Sequence, residues 1–573
     1  MDYSIKIGGE AGQGIQTIGD TLAKVFSRAG YHVFTHQDYE SRIRGGHNFF
    51  QIRFSDTPLT ASSGSLAIVV ALDTKSIALY EQELSDNGII IYDSAALGQK
   101  HDHSHFLDIP FMNIALEHGG RIMANTVATG SVLGMLRLNM EIFEGIIRDA
   151  FRKKGEDVIQ ANLRAAKAGF DFAIEHCPKC SFLPSSFGSP KMLISGVEGI
   201  ALGAIASGCK FYAAYPMTPS TGVMNYIAGK EREYGIIVEQ AEDEIAAINM
   251  ALGASFAGVR SMTGTAGGGF ALMVEGLSLS GMTETPVVIA LGQRPAPATG
   301  LPTRTEQGDL LFAIHAAHGE FPRVVFAPGT PEQAFYLTNK AFDLAEEFQI
   351  PVFVIFDQYL ADSGWTYDQW DTTKVLFHDY RIRGDAFRQV KDYKRHALTE
   401  SGVSPLGIPG DSKNLVVTDS DEHDEEGHII EDAEMRVKMV QKRLLKKLPL
   451  IKNKIESPLL YGSINPDIVL VCWGSLYGVV REVVDLLSID NHIAMLHFSE
   501  VYPFPVTDKF DYLASISNTK VSICIEQNAT GQFSRLFREE TGYQFKHTIN
   551  KYDGRPFTVE GLWKAYYDCV GRL

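Results

Sequence analysis

The residues best suited to chemistry stand in one short stretch of the chain. Tyr215, Pro216, Met217, Thr218 and Pro219 form a turn after an apolar, strand-like run. Thr218 directly precedes Pro219, which is the arrangement expected of a helix N-cap followed by proline at the first helical position. Since a helix N-terminus with a free hydroxyl is also a good seat for a carboxylate, we predict that this turn binds an acidic ligand.

Three glutamates follow where a second strand-like run turns into a helix of small residues, predicted over 243–257. They are Glu239, Glu242 and Glu244. Glu242 stands at the turn itself, so we predict that it exchanges protons with a bound cofactor ring, with Glu239 and Glu244 as the alternatives. Such a carboxyl group must be partly desolvated, so that its proton is available near neutral pH. A solvated acidic first turn of the helix would explain the same residues without any chemistry.

Two loops in the same region carry further candidates. A glycine run at 263–269 lies between a predicted strand and a predicted helix, and it permits close approach of a backbone or a flat ring. The polar loop at 300–309 contains Arg304, whose guanidinium can hold a carboxylate through two hydrogen bonds. A tight turn and a solvated arginine remain the structural alternatives.

A separate anion site is predicted near the N-terminus. Gly12 and Gly14 belong to a glycine-rich turn between a strand and a helix, where backbone N–H groups can approach a phosphate. Arg42 and Arg44 add guanidinium donors suited to phosphate or pyrophosphate. Two such loops in one domain favour a nucleotide-like ligand, although a tight turn alone would also select glycine.

The elements that must position these residues follow an α/β pattern. Short apolar runs alternate with amphipathic helices, so we predict several domains with mainly parallel sheets. The predicted domains span 1–182, 192–375 and 456–573, with a connector at 376–455. The strands predicted for the second domain lie at 209–216, 235–240, 260–266, 286–292, 323–329 and 351–357, and helices fall between them.

The first domain and the connector carry further structural expectations. In the first domain, buried strands are predicted at 3–9, 66–73 and 88–93, and residues 131–176 are predicted as helix. Within the connector, the acidic run 418–434 is predicted to be a solvated link before a basic helix over 435–450.

Composition excludes several classes of protein. The net charge of -17 argues against nucleic acid or an anionic membrane as the main partner. No apolar run is long enough to span a bilayer and the N-terminus does not read as a signal peptide, so we expect a cytoplasmic protein. The pair Cys177 and Cys180 stands at metal-ligand spacing, but no second pair completes a zinc or iron–sulfur site, so we expect none in this chain.

One expected motif is missing from the sequence. The role predicted for Glu242 is that of the carboxylate that activates the aminopyrimidine ring in one half of a thiamine diphosphate site. The other half of such a site binds Mg²⁺ and the diphosphate through a Gly-Asp-Gly motif. Here Gly-Asp occurs at 19–20, 308–309, 384–385 and 410–411, and glycine follows none of them. If thiamine diphosphate is used, another polypeptide must therefore supply its diphosphate site.

Five motifs, taken in order, resemble one family. They are GGEAGQGI (8–15), YPMTPST (215–221), EQAEDEIAAINMALGASFAG (239–258), GLPTRTEQGDL (300–310) and EQNATGQF (526–533). The chain is similar to the α subunits of 2-oxoacid:ferredoxin oxidoreductases, most closely those acting on 2-oxoglutarate, in the form with a γ-type domain fused at the N-terminus. The match covers nearly the whole chain and is loose only in the 376–455 connector.

The resemblance implies a reversible oxidative decarboxylation of a 2-oxoacid with coenzyme A and ferredoxin. It implies a β subunit that holds thiamine diphosphate, Mg²⁺ and a [4Fe–4S] cluster, in an α2β2 enzyme. The N-terminal domain would bind coenzyme A, and the C-terminal domain would be transketolase-C-like. Tyr215, Pro216 and Thr218 fall on the family's substrate motif, Glu242 on its pyrimidine-activating glutamate and Arg304 on a loop near the substrate.

Two alternatives stay open at this point. The 2-oxoacid could be pyruvate or a branched-chain or aryl acid, because 2-oxoglutarate requires a cation near its second carboxylate and Arg304 is only one candidate. The chain could also be a nucleotide-binding regulatory or scaffold protein, whose glycine loops serve no catalysis.

Overall fold

The computed structural model describes residues 1–41, 45–177, 180, 182, 188–489 and 491–571. These residues divide into two compact units. The first unit comprises Met1–Ile194, Asp362–Trp370 and Thr558–Gly561, and the second comprises Ser195–Ala361, Asp371–Phe557 and Leu562–Leu573.

The strands are short and are spread along the whole chain, as expected for an α/β protein. In chain order they are β1 (Asp2–Ala11), β2 (His32–Asp38), β3 (Gly45–Ser55), β4 (Leu66–Ala71), β5 (Leu84–Tyr92), β6 (Phe106–Asp108), β7 (Met192–Ser195), β8 (Cys209–Ala214), β9 (Ile237–Gln240), β10 (Arg260–Ala266), β11 (Val287–Gln293), β12 (Val324–Phe326), β13 (Pro351–Asp357), β14 (Gly364–Tyr367), β15 (Arg381–Ile382), β16 (Leu406–Gly407), β17 (Leu459–Gly462), β18 (Ile468–Trp473), β19 (Ile493–Phe498), β20 (Glu500–Tyr502), β21 (Val521–Glu526) and β22 (His547–Asn550).

Helices lie between most of these strands. They are α1 (Ile15–Arg28), α2 (Thr74–Tyr80), α3 (Ser94–Leu97), α4 (Phe111–Glu117), α5 (Ala124–Met135), α6 (Met140–Phe151), α7 (Glu156–His176), α8 (Gly196–Ala206), α9 (Thr221–Gly229), α10 (Glu231–Tyr234), α11 (Glu244–Phe256), α12 (Gly267–Thr283), α13 (Leu310–His315), α14 (Pro331–Phe348), α15 (Gln358–Asp362), α16 (Gly384–Gln389), α17 (Ala433–Val440), α18 (Lys447–Lys452), α19 (Tyr477–Leu487), α20 (Tyr512–Ser517), α21 (Gln532–Thr541) and α22 (Val559–Val570). Single 3₁₀ turns occur at Glu81–Glu83, Arg121–Met123, Thr372–Lys374 and Gly474–Leu476, and a π-helical turn at Gln441–Lys446 joins α17 to α18.

The first unit is built on a mixed sheet with the order β6-β5-β4-β1-β3-β2-β14-β7. The pairs from β6 through β1 are parallel, whereas β3 pairs antiparallel with both β1 and β2. Helix α1 packs on β1 and β3, and α5, α6 and α7 share the same apolar core with them. The α/β class is therefore confirmed, although β2 and β3 were not among the strands expected from the sequence.

The second unit contains the parallel sheet predicted from its apolar runs. Its strand order is β20-β12-β13-β11-β10-β8-β9, and every pair from β12 to β9 is parallel. Strands β10, β11 and β13 are buried along their full length, as expected of strands with helices on both faces. All six strands predicted between 209 and 357 are present.

A second parallel sheet completes this unit, with the order β17-β19-β18-β21-β22. Only the edge pair β17–β19 is antiparallel. Its buried side chains belong to the same apolar core as those of β11 and β13. The short strand β20 pairs antiparallel with β12, so the two sheets of this unit are joined through both backbone and core. The boundaries predicted at 375 and 456 stay predictions.

Two expectations about local structure are corrected. The helical stretch predicted over 131–176 is interrupted and forms the end of α5, then α6 and α7, because Asn139 and Gly155 cap new helices. The acidic run is not simply solvated. His423 is fully buried, and the Glu422 carboxylate accepts two hydrogen bonds of 2.8 Å from Arg443 of the basic helix.

A buried cluster of charges anchors that basic helix. The Glu284 carboxylate, at the C-terminal end of α12, contacts the ammonium groups of Lys442 and Lys447 and lies 3.2 Å from Nδ1 of His396. Arg395 donates to the carbonyl of Glu284 at 2.7 Å. Although burial alone would raise it, the two lysines hold the pKa of Glu284 well below its usual value. The connector is therefore fastened to the parallel sheet by desolvated charges.

The cysteines have structural environments. Cys177 and Cys180 form a disulfide bond. Cys472 and Cys524 are buried in strands β18 and β21, and burial raises the pKa of both thiols. Among the described helices, none is both long enough and apolar enough to cross a membrane.

Candidate functional site

The candidate site lies at the carboxyl edge of the parallel sheet of the second unit. Strands β8, β10 and β11 are neighbours in this sheet, and each ends in a loop that the sequence predicted to carry chemistry. The 215–219 turn follows β8, the glycine run begins α12 after β10, and the loop with Arg304 follows β11. Because carboxyl ends of parallel strands share one edge of a sheet, the three loops converge there.

The 215–219 turn does not cap a helix as predicted. Helix α9 begins only at Thr221, its N-cap residue is Ser220, and neither supplies a side-chain cap. The peptide bond between Thr218 and Pro219 is cis, and the Thr218 carbonyl accepts a hydrogen bond of 2.9 Å from Nη1 of Arg294. The N-cap interpretation of Thr218 is therefore wrong, and its hydroxyl is not used as a cap. Arg294, which the sequence analysis missed, holds the turn.

The three candidate glutamates differ sharply in burial. Glu239 and Glu242 are exposed, whereas Glu244, the first residue of α11, is only 3% exposed. The carboxylate that caps α11 belongs to Asp243, which accepts from the backbone N–H of Ala246 at 2.7 Å. The Glu244 carboxylate is thus not used as the cap. Glu244 is desolvated, as proton exchange with a cofactor ring requires, whereas Glu242 is not.

Glu244 faces the other two loops of the site. The Thr265 hydroxyl lies 3.4 Å from Oε1 of Glu244 and 3.9 Å from the Met217 sulfur, so it connects the glutamate to the 215–219 turn. A Cβ on Gly269, in the first turn of α12, would lie 2.7 Å from Cδ of Glu244. Glycine is therefore required at 269 to leave room for the carboxylate beside the helix N-terminus, which favours a negative charge.

Glycine is needed for close approach at two more points of this edge. A Cβ on Gly292 of β11 would lie 2.7 Å from Cγ of Pro219. A Cβ on Gly267 would lie 2.6 Å from both carboxylate oxygens of Asp309. Burial, with a smaller effect of Glu306, raises the pKa of Asp309 to about 6, and the charge of Arg294 opposes the rise. The glycine run thus makes room for chemistry-bearing side chains and not only for a tight turn.

The loop that carries Arg304 is fixed from several sides. Nε2 of Gln307 donates to the Trp473 carbonyl at 2.9 Å, and Oε1 of Gln307 accepts from the N–H of Gln527 at 3.0 Å. The N–H of Thr305 donates to the Gly554 carbonyl at 3.3 Å. The EQNATGQF motif therefore serves to dock this loop.

Arg304 itself is half-buried at this edge of the unit. Burial, and next the like charge of Arg555, lower the pKa of its guanidinium to about 10. It therefore stays cationic near neutral pH. On the same loop, Arg294 contacts Thr218, so the loop and the substrate turn predicted from the sequence are joined directly.

Four large apolar side chains are exposed in the turn after β8, on the edge strand β9 and on α11, and we call them the apolar rim. Tyr215 is 41% exposed, Ile237 of β9 61%, and Ile245 and Met250 of α11 47% and 40%. In the sequence, Ile237 and Ile245 stand on either side of the exposed Glu239 and Glu242. Clusters of large exposed apolar residues mark surfaces that bind another protein.

The first unit contains the glycine turn predicted to bind an anion. Gly12 and Gly14 have φ of 93° and 82°, and a Cβ on Gly14 would lie 2.8 Å from Cγ of Asn125. Gly12 lines two cavities, of ≈ 740 Å³ and ≈ 510 Å³, and Gly14 lines the smaller. Both volumes lie in the range of small-molecule sites. Arg42 and Arg44 lie outside the described residues.

Within the described part of the chain, no three His, Cys, Asp or Glu side chains converge as metal ligands. The disulfide bond already occupies Cys177 and Cys180.

Two segments of the chain match models of known protein families. Residues 202–442 match "Pyruvate flavodoxin/ferredoxin oxidoreductase, thiamine diP-bdg". Residues 4–172 match "Pyruvate ferredoxin/flavodoxin oxidoreductase". The first match contains the whole carboxyl edge of the parallel sheet, from the 215–219 turn to Asp309.

Individual relatives cover nearly the whole chain. The 2-oxoacid:ferredoxin oxidoreductase subunit alpha of a Sulfolobus species is 31% identical, over 100% of this chain and 97% of that protein. The 2-oxoglutarate synthase subunit KorA of Methanocaldococcus jannaschii is 33% identical, over 54% of this chain and 83% of that protein. The solved structure of 2-oxoglutarate:ferredoxin oxidoreductase from Magnetococcus marinus, with 2-oxoglutarate, coenzyme A and succinyl-CoA bound, aligns with a TM-score of 0.90, 31% identity and 99% coverage of both chains.

Proposed function

Since the chain belongs to the 2-oxoacid:ferredoxin oxidoreductase family as an α subunit, we propose that it supplies the substrate-binding and pyrimidine-activating half of a shared active site. The reaction would be the reversible oxidative decarboxylation of 2-oxoglutarate with coenzyme A, giving succinyl-CoA, carbon dioxide and reduced ferredoxin. The observation that carries this proposal is the desolvated Glu244 carboxylate at the carboxyl edge of the parallel sheet, beside the glycine run.

The described residues fit the pyrimidine end of thiamine diphosphate. Glu244 offers a buried carboxylate, and Gly267 and Gly269 remove side chains from the turn beside it. When bound, thiamine diphosphate supplies the carbon nucleophile that attacks the keto group and the electron sink for decarboxylation. We assign the proton exchange with the aminopyrimidine ring to Glu244 in place of Glu242, because Glu242 is exposed in this chain.

Substrate binding is assigned to the loops around this carboxylate. Tyr215, Pro216 and Thr218 would line the substrate, with Arg294 fixing the turn through the Thr218 carbonyl. Arg304 would hold a carboxylate of the 2-oxoacid, since its guanidinium remains cationic at neutral pH. The choice of 2-oxoglutarate is supported by its presence in the Magnetococcus marinus relative.

A β subunit would complete the site. It would hold the diphosphate, Mg²⁺ and a [4Fe–4S] cluster, because this chain lacks a Gly-Asp-Gly motif and a set of cluster cysteines. The apolar rim of Tyr215, Ile237, Ile245 and Met250 is the surface on which that subunit would dock. Two such αβ pairs would form the α2β2 enzyme.

Coenzyme A is assigned to the first unit. Gly12 lines cavities of ≈ 740 Å³ and ≈ 510 Å³ and Gly14 lines the smaller one, and the backbone of both lies at the N-terminus of α1, which favours a phosphate. The coenzyme A in the Magnetococcus marinus relative supports this assignment, which includes Arg42 and Arg44 as predicted phosphate contacts.

The function is tested by assaying the complex co-purified with its partner subunit. Reduction of ferredoxin would be followed with 2-oxoglutarate, pyruvate and a branched-chain 2-oxoacid, with and without coenzyme A and thiamine diphosphate. We expect turnover that needs both and the highest kcat/KM with 2-oxoglutarate. No turnover with any 2-oxoacid would refute the function, and a preference for pyruvate would refute the substrate.

A further inference from the structure

A second buried carboxylate lies at the carboxyl edge of the parallel sheet, and the function proposed above gives it no role. It belongs to Asp309, which directly precedes α13 and is only 8% exposed. The backbone N–H of Asp309 donates to Oε1 of Gln293, the last residue of β11, at 3.0 Å. Asp309 is therefore held at the end of the strand from which Arg294 continues the chain.

The Asp309 carboxylate is not used as a structural cap. Asp309 stands at the N-cap position of α13, but its side chain accepts no hydrogen bond from that helix. The carboxylate faces α12, where a Cβ on Gly267 would lie 2.6 Å from both of its oxygens. Glycine at 267 thus makes room for a carboxylate that is desolvated and uncapped, an arrangement that costs free energy unless a charge compensates it.

The charge state of Asp309 depends on its burial and on two neighbours. Burial and, less strongly, Glu306 of the same loop raise its pKa to about 6, and the charge of Arg294 opposes this rise. In return, Asp309 raises the pKa of the Arg294 guanidinium, which burial lowers. Within the described part of the chain, Arg294 is the cation that acts on Asp309, since α12 presents glycine there and α21 contacts the loop through the uncharged Gln532.

Arg294 connects this carboxylate to the 215–219 turn. Its Nη1 donates to the Thr218 carbonyl at 2.9 Å. A half-buried guanidinium is costly to hold in one place unless an opposite charge lies near it, and ionised Asp309 supplies that charge. The position of the turn therefore depends on the charge of Asp309, although the two do not touch through a hydrogen bond.

We propose that Asp309 is a positioning residue, whose negative charge holds Arg294 and, through it, the 215–219 turn in the conformation that binds the 2-oxoacid. The proposal rests on the proposed function and deepens it, because it makes substrate binding depend on the ionisation of one buried carboxyl group. When Asp309 takes up a proton, the charge on Arg294 loses its compensation and the turn binds the substrate more weakly. Since the ionised form is the competent one, binding is strong above the pKa of Asp309, about 6, and weakens as the pH falls through it.

The test uses the complete enzyme with its partner subunit and measures kcat and KM for 2-oxoglutarate from about pH 5 to about pH 8. In the unsubstituted enzyme we expect KM to rise about 5- to 10-fold towards the acidic end, the scale of one lost charge interaction. Asp309→Asn keeps the shape and removes the charge, so its KM should be raised at every pH without a further rise on acidification, and its kcat should stay within about 3-fold. Asp508→Asn, at an exposed aspartate before α20, is the matched control and should keep the unsubstituted profile.

Two further variants identify the groups through which Asp309 acts. If its effect passes through Arg294, the double variant Asp309→Asn with Arg294→Gln should be no worse than Arg294→Gln alone, because the two single losses are then not additive. Glu306→Gln removes a charge that raises the pKa of Asp309, so it should move the rise in KM to lower pH without abolishing it.

Each other outcome counts against the proposal. An Asp309→Asn enzyme with the unsubstituted KM profile would remove the residue from substrate binding, and a loss confined to kcat would place it in the chemistry instead. Additive losses in the double variant would show that Asp309 does not act through Arg294. A lowered thermal unfolding midpoint with an unchanged dependence of KM on pH would make its role structural only. If the unsubstituted enzyme turned over no 2-oxoacid at all, the proposed function itself would fail, which is a different result from an unchanged profile.

Discussion

The burial of Glu244 leads to a prediction that separates it from its two neighbours in sequence. Replacing Glu244 by glutamine keeps the shape of the side chain and an oxygen that can accept from Thr265, but it removes the ionisable group. Because the side chain is only 3% exposed, water cannot take over proton exchange at this position. We therefore expect the Glu244→Gln enzyme to fold normally and to lose its chemistry.

The size of the effect follows from the environment of each glutamate. A positioned acid or base contributes about 10²–10⁴-fold to the rate, so Glu244→Gln should lower kcat at least about 100-fold. Glu242 and Glu239 are exposed, and substitutions of exposed residues change stability by no more than about 0.5 kcal/mol. Glu242→Gln and Glu239→Gln should therefore keep kcat within about 3-fold, a loss comparable in free energy to such a surface change.

The assay is 2-oxoglutarate-dependent reduction of ferredoxin by the complete enzyme, with coenzyme A and thiamine diphosphate at saturation. The thermal unfolding midpoint of each variant serves as the control for folding. A Glu242→Gln enzyme without activity beside a fully active Glu244→Gln enzyme would refute the assignment. Equal large losses for both variants would show that burial does not distinguish them.

Three further predictions concern packing and charge. Gly269→Ala should lower kcat by at least about 10-fold with little change in the KM for coenzyme A, because its Cβ would lie 2.7 Å from Cδ of Glu244 and displace the carboxylate; an unchanged kcat would contradict this. Glu284→Gln should destabilise the chain by about 3–5 kcal/mol, measured in urea, because it leaves two buried lysines without their carboxylate; a loss below about 1 kcal/mol would mean that the lysines are not held by this charge. Burial lowers the pKa of His396 to about 2 and of His497 to about 4, so both stay neutral in the folded chain while the unfolded chain takes up their protons below about pH 6.5. The free energy of unfolding should therefore fall as the pH drops from 6.5 towards 4, by roughly 1 kcal/mol per pH unit for each histidine. In the His497→Gln variant the contribution of one histidine to this pH dependence should be lost. The same pH dependence in that variant as in the unsubstituted chain would contradict the role given to His497.

The sheet of the second unit was predictable because its signal is local. Strands β11, β12 and β13 are apolar runs bounded by turn residues, and burial on both faces of a parallel sheet requires that pattern. The antiparallel strands β2 and β3 were missed because they are polar on one face. Residues such as His36, Gln51 and Arg53 interrupt the apolar runs, although they are buried in the fold.

The loops that form the site were predictable from the sequence, but the particular side chains that act in it were not. The sequence placed the 215–219 turn, the glycine run and the Arg304 loop after strands, and these loops do meet at one edge. It could not choose among Glu239, Glu242 and Glu244, because their burial depends on how α11 packs against α12. Arg294 gave a signal that could have been used, since it directly follows an apolar strand, at the end where ligands bind.

The buried charges of the connector could not be predicted from the sequence. An acidic run followed by a basic helix is typical of a solvated link, and the pattern is the same whether or not the charges are desolvated. Only the fold shows that Glu284, far away in sequence, contacts Lys442 and Lys447.

The central claim is that this chain contributes half of an active site that is completed by another subunit. The most direct measurement is the rate of 2-oxoglutarate-dependent ferredoxin reduction while purified partner subunit is titrated into a fixed amount of this chain, with thiamine diphosphate and coenzyme A present throughout. We predict no turnover by the chain alone and a rate that rises with added partner until the two are equimolar. Thiamine-dependent turnover by the isolated chain would contradict the account.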